Sequence, residues 1–79
     1  MSREEIFERL DAVFQDVFDD DEITVNEETT ADDIEDWDSL EQINLVVAIE
    51  KVFSLKFNMT EVGKLKNVGE MVDLILERI

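Results

Sequence analysis

Apolar residues return along the first segment at helical spacing: Ile6, Leu10, Val13, Phe14 and Val17 stand at i, i+4, i+7, i+8 and i+11. A strand cannot gather that set on one side, because its side chains alternate with a period of two. Ser2 and Glu5 precede the run with the spacing of a capping box, and Phe7 and Phe18 widen the stripe, so the pattern predicts a helix over 3–18. Its other face, with Glu4, Glu8, Arg9, Asp11 and Gln15, is expected to meet water.

The same signature recurs twice. Asp38 with Glu41, overlapped by Ser39 with Gln42, precedes an apolar run from Leu40 to Phe53, which predicts a second helix. That run has two stripes: Leu45, Ile49, Val52 and Phe53 with Val46 beside them, and Leu40, Ile43 and Val47. One stripe must face the core, and the other is a surplus surface available to partners. Asn67 with Glu70 opens the last run, in which Val68, Met71, Val72, Ile75 and Ile79 share a face, predicting a terminal helix. Between these, Phe53, Leu55 and Phe57 alternate with Ser54 and Lys56 as a short extended connection. Thr60 is expected to cap a brief helix over 61–65. With no proline to break any run, the chain reads as all-α: a four-helix bundle, a single domain over 1–79, with a short third helix.

Residues 19–37 break the pattern. They are acidic and threonine-rich, with Ile23, Val25, Ile34 and Trp37 as scattered anchors and one possible helical turn at Ala31–Ile34 behind Thr30. A loop longer than about 12 to 15 residues is uncommon in a compact domain and usually functional.

Composition then narrows the function. The 22 acidic and 7 basic side chains give a formal charge of −15, which disfavours nucleic acid and anionic lipid and favours partners with basic patches. A hydrophobic content of 44% with helical periodicity argues for a folded chain. No stretch is long and apolar enough to span a bilayer, and Met1–Leu10 lacks the build of a signal peptide; with no cysteine, this points to a cytoplasmic protein, which is expected to be a monomer. Catalysis is poorly equipped for, since histidine, cysteine and tyrosine are absent and no glycine elbow flanks Ser39. The carboxylates at 19–22 and 32–38 lack the spacing and glycine of a calcium loop, so no metal site is expected.

A third candidate is Ser39, at the opening of the second helix and the end of the acidic loop. If Asp38 caps the second helix, the Ser39 hydroxyl is free, and a phosphodiester formed there meets the positive end of the helix dipole. The alternative is that Ser39 is itself the cap; local residues do not separate the two.

The run Trp37, Asp38, Ser39, Leu40, Glu41, followed by Ile43, Leu45, Val46, Val47, Ala48, Ile49, Glu50 and Phe53, resembles the attachment motif and recognition helix of the acyl carrier protein family. The likeness extends over nearly the whole chain. It implies a non-catalytic carrier whose Ser39, flanked by Asp38 and Leu40, receives 4'-phosphopantetheine from coenzyme A through a phosphopantetheinyl transferase. Acyl groups would then ride on the arm as thioesters, for fatty acid, polyketide or related biosynthesis. It also implies that Leu40, Glu41, Ile43, Val47 and Glu50 meet the acyl-loading, acyl-transferring or condensing enzymes. Each has a plainer reading: Glu41 as a capping residue, Glu50 as a partner of Lys51, Val47 as packed. Trp37 either covers the core beneath the loop or guides the arm.

Trp37 before the motif, and Asn44 where fatty acid carriers often have an acidic residue, lean the resemblance towards discrete carriers of specialised pathways. An aminoacyl or peptidyl cargo, or an unmodified acidic adaptor, is the competing reading.

Overall fold

A computed structural model describes all 79 residues, and they form four helices joined by loops. Helix α1 spans Arg3–Val17, α2 Ser39–Phe53, α3 Met59–Gly63 and α4 Val68–Arg78, with one 3-10 turn at Ala31–Asp33 inside the long first loop. The caps of the three long helices are among those the spacing offers. The Ser2 hydroxyl, the Asp38 carboxylate and the Asn67 side-chain carbonyl accept from the N–H groups of Glu5, Glu41 and Glu70, at 3.2, 2.9 and 2.8 Å. Each satisfies a donor that the helix start leaves without a partner.

Both α1 and α2 end without glycine. Asp19 and Ser54 adopt left-handed backbone (φ 51° and 55°), and the next N–H closes back on a carbonyl five residues earlier: Asp20 to Gln15 at 3.0 Å, Leu55 to Glu50 at 3.1 Å. This is the Schellman arrangement, built here on residues that pay a modest steric cost for it.

Helix α1 packs against α2 and α4 around a core of Ile6, Leu10, Phe14, Leu45, Ile49, Val68, Val72 and Ile75, all inaccessible to water. The first loop is tied down along its length. Asp11 accepts from the Val25 N–H at 2.7 Å, and Gln15 donates to the Ile23 carbonyl at 2.9 Å. These two residues are therefore half-buried anchors and not the solvated face that their helical position suggests. Further on, the carbonyls of Thr29 and Glu27 accept from Val68 and Gly69 at 2.8 and 3.1 Å, so the loop supplies partners for the opening turn of α4.

Two other expectations need correction. Asn58, not Thr60, caps α3: its side chain accepts from the Thr60 N–H at 2.8 Å while Glu61 accepts from the Asn58 N–H at 3.2 Å. The helix therefore starts at Met59, two residues before the expected Glu61. Val52, placed with the buried stripe of α2, is 43% exposed. At about 100° per residue it sits at the rim of the arc that Leu45, Val46, Ile49 and Phe53 define.

Candidate functional site

Asp38 settles the local question about Ser39. The Asp38 carboxylate bonds the Glu41 N–H and so acts as the cap, which places Ser39 as the first residue of α2, exposed and with its hydroxyl uncommitted. Gln42, paired with Ser39 in the overlapping signature, is engaged elsewhere: its side-chain carbonyl accepts from the Trp37 indole N–H at 2.5 Å.

That bond fixes Trp37, which takes the first of the two roles open to it. Its ring meets Phe14 edge-on at 5.3 Å and 75° and lies 6.2 Å from Phe18, covering the core beneath the loop. It also forms a wall of a cleft of about 370 Å³ that opens beside Ser39, between the starts of α2 and α4 and the end of α3. Gln42, Val62, Leu65, Lys66 and Met71 are among its other lining residues. An exposed hydroxyl at a helix start, next to a cleft of mixed polar and apolar lining, suits a flexible amphipathic arm joined through a phosphodiester.

On the outer face of α2 the surplus stripe stays uncovered: Leu40 is 66% exposed, Ile43 49% and Val47 44%. Val47 is therefore not packed. Glu41 is half-buried and lies 3.5 Å from the Asn44 side-chain amide. Glu50 does not pair with Lys51: its carboxylate accepts from the Phe57 N–H at 2.8 Å and holds the extended connection against α2.

One cluster has no counterpart in the local sequence patterns. The Arg3 guanidinium donates to both carboxylate oxygens of Glu27, at 2.5 and 2.6 Å, to Asp73 at 2.8 Å and to the Gly69 carbonyl at 3.2 Å. It joins the start of α1, the loop and α4. The Glu27 carboxyl is held below the usual carboxylate range chiefly by the hydrogen bonds from Arg3, and the Arg3 guanidinium is in turn shifted upward. Its partners lie 24 to 70 positions away, beyond the reach of any local signature.

The chain is similar to known proteins over nearly its whole length. The family model described as the phosphopantetheine attachment site matches residues 8–75. An acyl carrier protein of Petrotoga mobilis is 35% identical, covering all of this chain and 93% of its own. One from Thermotoga maritima is 32% identical over 99% of this chain and 96% of its own. The solution structure of holo acyl carrier protein from Geobacter metallireducens superposes with a TM-score of 0.85 at 44% identity, covering 91% of this chain and 83% of that one. Motif, fold and relatives converge: the chain belongs to the acyl carrier protein family, as a non-catalytic carrier of covalently attached phosphopantetheine.

Proposed function

We propose that Ser39 is the residue that takes the arm, and that the chain delivers thioester-bound acyl groups to partner enzymes of fatty acid, polyketide or related biosynthesis in the cytoplasm. The observation that supports this is the division of labour at the start of α2, where Asp38 caps and Ser39 remains free. Family membership brings a phosphopantetheinyl transferase and acyl-handling enzymes as partners in general terms.

In the loading step the Ser39 hydroxyl gives its proton to a base on the transferase. Its oxygen bonds to the phosphorus of coenzyme A as the bond to the departing adenosine 3',5'-bisphosphate breaks. The arm supplies the thiol that this cysteine-free chain lacks. On the protein side, Leu40, Ile43 and Val47 form an apolar contact strip, and Glu41 adds negative charge for a partner's basic patch. Glu50, committed to the Phe57 N–H, contributes to that surface mainly by shaping the end of α2.

The test is intact mass after incubation with coenzyme A and a broad-specificity transferase. The protein gains one arm, and Ser39→Ala gains none. A variant still modified after Ser39→Ala would place the attachment elsewhere.

A further inference from the structure

Asp38, the neighbour of Ser39, lines two hollows of different character. On one side Asp19, Asp36, Asp38 and Glu41 share a surface depression with Val17 and Phe18. On the other lies the cleft walled by Trp37, Val62, Leu65 and Met71, whose charged lining is Asp38 and a single cation, Lys66. A phosphodiester at Ser39 adds a permanent negative charge to a chain already at −15, adjoining Asp38, which belongs to the acidic depression. Like charges at short range disfavour the acidic side.

Lys66 is free to respond. Arg3 and Arg78 are both paired with carboxylates, whereas no lysine of the chain has a carboxylate within 4 Å. The Lys66 backbone is held in place, since its N–H donates to Glu70 at 3.1 Å next to the cap of α4, while its side chain is exposed. A lysine of this kind is a mobile point charge on a fixed base, suited to a phosphate oxygen. Lys64, two residues away and also exposed, does not line the cleft.

We propose that Lys66 is the ion-pair partner of the phosphodiester at Ser39, and that this pairing directs the arm out through the cleft past Trp37 rather than across the acidic hollow. The inference rests on Ser39 being the attachment residue. It makes Lys66 a positioning residue for the arm, separate from the apolar strip of α2 that meets partner enzymes.

The test uses holo protein, with loading verified by mass, as wild type, Lys66→Gln, Lys66→Arg and Lys64→Gln. The phosphorus NMR shift of the phosphodiester is recorded at low ionic strength and again in high salt. Wild type, Lys66→Arg and Lys64→Gln share one shift, while Lys66→Gln moves towards the value of the urea-unfolded holo protein. High salt brings all four together, as expected for an exposed pair. Coincident wild-type and Lys66→Gln shifts at low salt, or an equal displacement in Lys64→Gln, overturn the pairing. Failure of wild type to load, or loading that survives Ser39→Ala, overturns the attachment reading and the pairing with it. That result is distinct from a loaded protein whose shift ignores Lys66.

Discussion

The backbone of Glu27 lies so close to Gly69 that a β-carbon on Gly69 would stand 2.7 Å from the Glu27 carbonyl oxygen and 3.2 Å from its α-carbon. The Gly69 N–H donates to that same carbonyl at 3.1 Å. The loop and α4 meet here with no room for a side chain.

Gly69→Ala therefore sets two effects against each other. Alanine in a helix gains about 0.5 to 1 kcal/mol over glycine, while forcing a methyl group into a closed backbone contact costs about 1 to 3 kcal/mol. Overpacking wins, and thermal denaturation should show a lower midpoint. A midpoint equal to or above wild type would mean that the loop moves aside freely.

Because the Arg3 hydrogen bonds lower the Glu27 carboxyl in the folded state, its stabilising effect is complete above the unfolded value of about 4.5 and fades as pH falls through the folded one. Compared across pH, the difference in melting midpoint between wild type and Glu27→Gln should be level from neutral pH down to about pH 5.5 and then shrink in more acidic buffer. A difference that widens on acidification contradicts the Arg3 pairing.

Asp38 and Ser39 should separate cleanly. Removing the cap with Asp38→Ala costs about 1 kcal/mol, which in a domain of this size lowers the midpoint by roughly 4 to 8 °C. Ser39→Ala, at an exposed position without the cap bond, should stay within about 0.5 kcal/mol of wild type. Calorimetry on the two unmodified variants decides it; the reverse order would make Ser39 the cap.

The charge of −15 on 79 residues predicts self-repulsion that salt relieves. The melting midpoint should rise between very low salt and about 0.15 M, where the Debye length is about 8 Å. A flat response over that range means that the acidic side chains are spaced too widely to oppose folding.

What could be foreseen divides along a physical line. Helices α1, α2 and α4 were readable because cap and stripe are local: Ser2, Asp38 and Asn67 each bond an N–H three residues on. The exposure of Leu40, Ile43 and Val47 follows from the same periodicity. The shift from Thr60 to Asn58 is a competition between overlapping signatures, which Asn58 and Glu61 win by satisfying two donors reciprocally. Contacts between distant segments had no local signal. Arg3 with Glu27 and Asp73, Asp11 with the Val25 N–H and Glu50 with the Phe57 N–H depend on how the loops return to the bundle. At the site itself, Ser39 was visible as a residue but not as a choice, since only the observed bond from Asp38 removes it from the capping role.

Trp37 is the chain's one tryptophan, and it touches Phe14 and Phe18 on one side and the cleft beside Ser39 on the other. The molecule therefore carries its own optical reporter. Emission from this indole should register loss of the core on unfolding and arrival of the proposed adduct at Ser39, so both events can be followed in unlabelled protein.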